Sequence, residues 1–195
     1  MEISNSKPDT RSRILQAAIR VFSQKGFHNA RVEEIATEAQ VGKGTVYEYF
    51  SSKEELFYQL FKSCSDAYLK SLTQDLASLN SVGDRLEKIV YLHLKFIKNH
   101  RDIARIIFQE HHELGEKLHR WIWSKREEKL NIISNLLEEG IRKGELRAVN
   151  TRVAAQVFLG AVVSVGSTIA FAGDDVPLAE TTTAIVEIFL KGVGR

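Results

Sequence analysis

The sequence predicts an all-α protein, and three observations carry that expectation. Apolar residues recur at three- and four-residue spacing along most of the chain, and no useful stretch alternates as a strand would. Two prolines and 12 glycines in 195 residues leave room for long helices and offer too few turns for an all-β chain. Cap-forming residues fall at the edges of the periodic segments. Together they divide the chain into three short helices within residues 1–51 and six more within residues 52–195, with no internal repeat.

Residues 1 to 8 are polar and end in Lys7-Pro8, an arm ahead of the fold. Thr10 is expected to cap the first helix, whose apolar face is Ile14, Ala17, Ala18, Val21 and Phe22. Gly26 is expected to stop it, with Phe27 folding back on its end. Val32, Ile35, Ala36 and Ala39 form the inner face of a second helix, and Val46 and Phe50 that of a third. Three such helices can close a small core. Ser51-Ser52-Lys53-Glu54-Glu55 is a helix start, with serine caps and carboxylates where the helix dipole favours them. Leu56, Phe57, Leu60, Phe61, Cys64, Tyr68 and Leu72 continue that face for about five turns. A helix of that length leaves the first bundle and enters another layer.

Ser81 to Asp84 opens the next helix, with Leu86, Ile89, Val90, His93, Leu94 and Ile97 inward and a stop near Asn99-His100. A shorter helix is expected from Asp102 to His112, and a long one from Glu116 to Lys143, ended by Gly144. Asn150-Thr151 caps an apolar helix running to Ala172. Residues 173 to 177 are a loop, and Leu178 to Val193 closes the chain.

The formal net charge is +2, ordinary for a globular chain. Cys64 is the only cysteine, which excludes an intrachain disulfide and a thiolate zinc site, and its plain reading is a small core hydrophobe. No basic-then-apolar signal segment opens the chain. Ala154 to Ala172 falls slightly short of the ~20 residues a spanning helix needs and carries Gln156, Ser164, Ser167 and Thr168. The expectation is a cytoplasmic protein with no membrane contact.

The stretch VEEIATEAQVGKGTVYEYFSSK, Val32 to Lys53, reads as two short helices across a tight turn and the start of a third. Two helices at a steep angle across such a turn form a helix-turn-helix, whose second helix fits the major groove of DNA. Gly44 would let the backbone approach closely, and Lys43 and Thr45 stand in the first turn, where free N–H groups favour phosphate oxygens. Tyr47 and Tyr49 can each place a hydroxyl on a phosphate. Glu48 could accept from a cytosine amine, although its plainer reading is a solvated glutamate. Lys53 and Arg31 suit the flanking backbone. Charge alone does not decide the matter. Lys7, Arg11, Arg13, Arg20, Lys25, Arg31, Lys43 and Lys53 are matched by as many acids up to Leu60. Only distribution favours DNA, with Arg31, Lys43 and Lys53 at the ends facing a groove and Glu33, Glu34 and Glu38 expected elsewhere. On the residues alone, an ordinary three-helix bundle with polar faces reads as well.

ILQAAIRVFSQKGF, VEEIA, VGKGTVYEYF and SKEELF, in this order and spacing, resemble the N-terminal domain of the TetR family of transcriptional regulators. The resemblance covers about a quarter of the chain. It implies a three-helix DNA-binding domain, a six-helix ligand-binding and dimerisation domain, and DNA contacts at Arg31, Lys43, Gly44, Thr45, Tyr47, Tyr49 and Lys53. Three positions depart from the family pattern. Arg31 stands where a threonine cap is usual, Gln40 where the turn glycine is usual, and Gly42 where a serine cap is usual. Weaker caps there are expected to cost ~0.5 kcal/mol each.

The resemblance also implies a homodimer on a palindromic double-stranded operator, regulated by a small apolar or amphipathic effector. The last two helices are too apolar to be two surface helices, and Gly160, Ser164 and Thr168 form a small-residue strip on the first. With Ile185 and Phe189 they are the expected dimer interface; packing within one chain is the alternative. Phe61, Tyr68, Tyr91, Phe96, Phe108, Trp121 and Trp123 can surround an effector, although the plainer reading of any one of them is core. Some family members sense fatty acyl-CoA, and Arg101, Arg105, Lys117 and Arg120 are expected to meet such a polyanionic headgroup. Gln109 to Glu113, with His111 and His112, is expected to be a solvated helix end. Adjacent histidines point ~100° apart, so no metal and no cofactor are expected. No Walker loop, Rossmann fingerprint, G-x-S-x-G elbow or H-E-x-x-H is present. The competing readings are a helical enzyme and a structural dimer without specific DNA binding.

Overall fold

The computed structural model describes residues 9–76, 78–110, 114–172 and 176–193, so the N-terminal arm and the His111-His112 pair lie outside the described residues. Nine helices are described: α1 Thr10–Asn29, α2 Val32–Glu38, α3 Lys43–Tyr49, α4 Lys53–Leu76, α5 Val82–Asn99, α6 Arg101–Glu110, α7 Glu116–Lys143, α8 Thr151–Ala172 and α9 Leu178–Val193. The fold class is all-α, as expected.

Most boundaries have the expected chemistry. Ser52 Oγ accepts from the Glu55 N–H at 3.1 Å, Ser81 Oγ from Asp84 at 3.0 Å, and Asn150 Oδ1 from Val153 at 3.1 Å. At the first helix the cap is Asp9, which accepts from the Ser12 N–H at 2.6 Å, and Thr10 is already helical. A carboxylate is the stronger acceptor and also meets the positive end of the helix dipole. Gly26 interrupts α1 with φ 74°, and the chain resumes one helical turn through Phe27 before Ala30. Phe27 does fold back. Its ring lies 5.7 Å from Phe22 and 5.4 Å from Phe57, and a contact of 5.3 Å between Phe22 and Phe57 closes the trio.

The apolar faces build two cores. One joins Ile14, Ala18, Phe22, Ile35, Val46 and Phe50 to Leu56, Phe57 and Leu60 of α4. Ile103 and Ile106 of α6, with Leu114 and Leu118 before and within α7, complete it. The core around the first three helices therefore continues across residue 51 and is closed by α6. The other core packs α5 and α7 on α8 through Leu86, Val90, Leu94, Leu130, Leu137 and Phe158. Gly166 lets α5 and α8 approach closely, because a Cβ there would lie 2.4 Å from Ile97 Cδ1. α8 is long and apolar enough to cross a membrane by length and composition, yet one of its faces is buried among the other helices of this core.

Candidate functional site

The turn between α2 and α3 is a Schellman motif. The Val41 N–H donates to Ala36 O and the Gln40 N–H to Thr37 O, each at 3.0 Å. Gln40 holds φ 55°, the left-handed conformation that glycine adopts without strain. Arg13 of α1 braces this turn from outside, its guanidinium donating to Ala39 O at 2.6 Å and Gln40 O at 3.0 Å. Arg31 has no acceptor to offer at the start of α2. Half of the capping exchange survives, since Glu34 accepts from the Arg31 N–H at 3.2 Å.

Val46 is the buried residue of α3, in one core with Ile35 and Phe50, and the helix's other side is open. Gly42, Lys43, Gly44, Tyr47, Glu48 and Tyr49 are exposed, and Thr45 is half-buried. A Cβ at Gly44 would meet nothing within 4 Å, so nothing in the fold itself requires glycine there. Gly42 caps α3 without a side-chain acceptor, so no cap side chain occupies the first-turn N–H groups. Of the residues expected to contact DNA, Lys43, Gly44, Thr45, Tyr47 and Tyr49 share α3, while Arg31 and Lys53 flank it in the sequence.

Two basic residues sit differently from expectation. Lys43 forms an ion pair with Glu33, whose hydrogen bond holds the lysine above and the glutamate below their ordinary pKa ranges. Glu33 is thus at the same end as Lys43, whereas Glu34 pairs with Lys25 and Glu38 with Arg20, each at 2.6 Å. Lys53 is half-buried and donates to Phe27 O at 2.8 Å, His28 O at 3.1 Å and Ala30 O at 3.2 Å, above the Phe27 ring. It is a clamp on the segment leading to Arg31, not a free phosphate donor. Arg31 itself is exposed.

In the second layer a cavity of about 280 Å³ lies among α4 to α8. Phe61, Tyr68, Phe96, Phe108 and Trp121 line it, as expected. Tyr91 does not. It lies in a shallow groove between α5 and α9 with Asp84, Glu87 and Thr182. Trp123 points outward, 61% exposed, beneath the Arg126 guanidinium. The expected headgroup cluster is also absent from the cavity wall. Arg105 donates to Ala170 O at 2.6 Å, Lys117 pairs with Glu55 at 2.6 Å, and Arg120 pairs with Glu116 at 2.9 Å. The basic residues that line the cavity are Lys125, Arg126 and Lys129 of α7. Their spacing held the signal, since Trp121, Lys125 and Lys129 recur every four residues on one helical face.

Burial works against the charged form at three of the cavity's polar groups. The Tyr68 hydroxyl lies 3.5 Å from His93 Nδ1, and burial raises the tyrosine pKa. Burial and then the charge of Lys129 push His93 down to about 3. Burial, followed by Arg126, pushes Lys129 down to about 8. Among the described residues no group of histidine, cysteine and carboxylate side chains could hold a metal ion.

On α8 and α9, an open groove of about 590 Å³ is lined by Val153, Val157, Ala161, Ile185, Ile188 and Phe189. Gly160, Ser164 and Thr168 are exposed on α8, and a Cβ at Gly160 would meet nothing within 4 Å. Ile185 and Phe189 are half-buried. Ile188 is 74% and Val157 61% exposed, a large apolar surface without a cover in the single chain.

Comparison with known proteins agrees with this arrangement. Residues 14–60 match the family model of bacterial regulatory proteins, tetR family, and residues 80–193 match that of the tetracyclin repressor-like C-terminal domain. The fatty acid metabolism regulator protein of Bacillus subtilis strain 168 is 25% identical over 181 residues, covering 92% of this chain and 93% of its own length. The fatty acid degradation regulator FadR from Bacillus halodurans superposes with a TM-score of 0.79 at 26% identity, over 93% of this chain and 98% of that one. FadR from Bacillus subtilis, solved in complex with stearoyl-CoA, superposes with a TM-score of 0.81 at 24% identity and the same coverage, a likeness of fold. With both halves of the sequence matched, and the C-terminal match alone spanning more than half of it, this chain belongs to the TetR family of transcriptional regulators.

Proposed function

We propose that the chain is a homodimeric repressor that binds a palindromic operator and releases it when an effector of the fatty acyl-CoA class enters the cavity. The observation that carries this reading is that α4, α6 and α7, the last through Leu118 and Trp121, are shared between the cavity and the core beneath α3. α4 contributes Leu56, Phe57 and Leu60 to that core and Phe61, Ser65, Tyr68 and Leu69 to the cavity. α6 contributes Ile103 and Ile106 to the core and Ala104, Ile107 and Phe108 to the cavity. Whatever parts these helices moves the platform on which α3 is seated.

The cavity's volume of about 280 Å³ lies at the lower edge of the ordinary range for ligand pockets. A long acyl chain enters by separating the helices, and the work of separation is the coupling. An effector shifts the equilibrium only by its differential affinity for the two arrangements. Apolar walls with cations at one side suit an acyl chain bearing an anionic head, and the stearoyl-CoA complex of the Bacillus subtilis regulator supports that class. The uncovered groove on α8 and α9 supports a two-fold partner packed through the same face, in a four-helix interface. A two-fold protein then places its two α3 helices in successive major grooves, about 34 Å apart. Such a regulator acts in the cytoplasm, where the chromosome is.

A gel-shift with the DNA upstream of the protein's own gene, at two salt concentrations, tests the reading. Specific binding that weakens steeply with salt, and is lost on adding palmitoyl-CoA, is expected. Equal weak binding to every DNA would overturn the operator reading and leave a helical dimer without specific DNA binding.

A further inference from the structure

Lys125, Arg126 and Lys129 all line the cavity, but they differ in their partners. Lys125 pairs with Glu128 at 2.6 Å. Arg126 has Glu127 at 3.6 Å and is stacked on Trp123 at 5.2 Å. Lys129 is half-buried, and among the described residues no carboxylate lies within ion-pair distance of its ammonium. Its Nζ lies 5.9 Å from the centre of the Tyr68 ring. The charged and titratable groups facing it are Tyr68 of α4, His93 of α5, and Lys125, Arg126 and Glu128 of α7. Among the described residues, α6 and α8 present Ala104, Ile107, Phe108, Leu159 and Val163 to the cavity.

A cation half-withdrawn from water beside a second cation, with no carboxylate in ion-pair distance among the described residues, is unfavourable as it stands. Its neighbours are also unsuited to relieve it: a phenol and a neutral imidazole supply dipoles, and Glu128 is engaged by Lys125. The missing component is a negative charge. We propose that Lys129 is the seat of an anionic oxygen group of the effector, a carboxylate or a phosphate held inside the cavity beside Tyr68 and His93. Resting on the effector-cavity reading above, the proposal places the head of the ligand against the middle of α7 and leaves the walls of α4, α6 and α8 to its apolar part. Charge at Lys129 then selects anionic ligands over neutral ones of the same shape.

Two fluorescent probes isolate the charge. 1-Anilinonaphthalene-8-sulfonate carries an anionic oxygen group, and N-phenyl-1-naphthylamine has the same rings without it. Both are titrated into the full chain and into Lys129→Met, Lys129→Gln and Lys129→Arg, each checked for native helicity. The sulfonate probe is expected to bind about ten- to a hundredfold more weakly to the Met and Gln variants, the range for one charge-assisted contact. The Arg variant keeps the affinity, and the neutral probe binds all four proteins within about twofold. Sulfonate binding to the Met and Gln variants as tight as to the native chain overturns the proposal, as does a native preference for the neutral probe. Palmitate and palmitoyl-CoA are then used as competitors. Lys129-dependent displacement by palmitate identifies a carboxylate as the natural group, and displacement by palmitoyl-CoA alone identifies a phosphate. Displacement by neither, with the sulfonate preference intact, supports the anion seat and refutes the acyl-chain effector instead.

Discussion

Replacing Gly44 by alanine should make the protein more stable and a poorer DNA binder. The added methyl group meets nothing within 4 Å in the free protein, so the fold opposes it nowhere. Alanine exceeds glycine by roughly 0.8–1.0 kcal/mol in a helix interior. Gly44 is the second residue of α3, where the backbone is only partly committed, so about half of that, ~0.5 kcal/mol, is expected. For a chain of this size that is a rise in Tm of about 1–2 °C. On DNA the same methyl group stands between the exposed first turn of α3 and the surface it approaches. Losing one backbone contact to a charged phosphate costs roughly 1.5–3 kcal/mol, or about ten- to a hundredfold in Kd. Thermal unfolding by circular dichroism and fluorescence anisotropy on the upstream DNA measure the two effects. DNA affinity within twofold of the native protein would refute close approach at residue 44, and a fall in Tm would refute the open space around it.

The strained turn gives a second outcome. Gln40→Gly should stabilise the chain by ~0.5–1 kcal/mol in urea unfolding, since relief of a left-handed φ of 55° outweighs the extra backbone entropy of glycine. Val157→Asp with Ile188→Asp should give folded monomers in sedimentation, with operator affinity down at least about tenfold, because both residues are exposed on the groove of α8 and α9. The half-buried His93, with its pKa pushed to about 3 by its surroundings, favours a fold in which it is neutral. The unfolded chain takes up that proton below the ordinary histidine value of 6.5, so this contribution is complete above pH 6.5 and is lost as pH falls toward 3. His93→Phe should flatten that limb of a stability–pH curve, measured by urea unfolding.

Helix number, order and most caps were legible in the sequence because they depend on local periodicity and on side chains within three residues of a boundary. The exposed surface of α3 was legible for the same reason: Val46 and Phe50 fix which side faces inward, and the remainder must face out. Contacts made across long sequence separations were not. Lys53 closes on carbonyls more than twenty residues earlier, and Arg13 braces a turn at residues 39 and 40. Arg105 is spent on Ala170 O, and Lys117 on Glu55. Aromatic content marked five of the cavity's walls, but whether Tyr91 and Trp123 face inward depends on the rotation of α5 and α7 against α8, which a local pattern does not determine. The cations of α7 escaped notice because basic residues on a long helix ordinarily face water, although their four-residue spacing from Trp121 put them on the cavity side.

Fluorescence anisotropy of the upstream operator fragment, titrated with protein in the presence and absence of palmitoyl-CoA, tests the central claim most directly. The account predicts saturable, sequence-specific binding without the ligand and a fall in affinity of at least about tenfold with it, while binding to unrelated DNA changes little. Operator affinity that is unchanged when palmitoyl-CoA demonstrably occupies the protein would contradict the coupling of the cavity to α3.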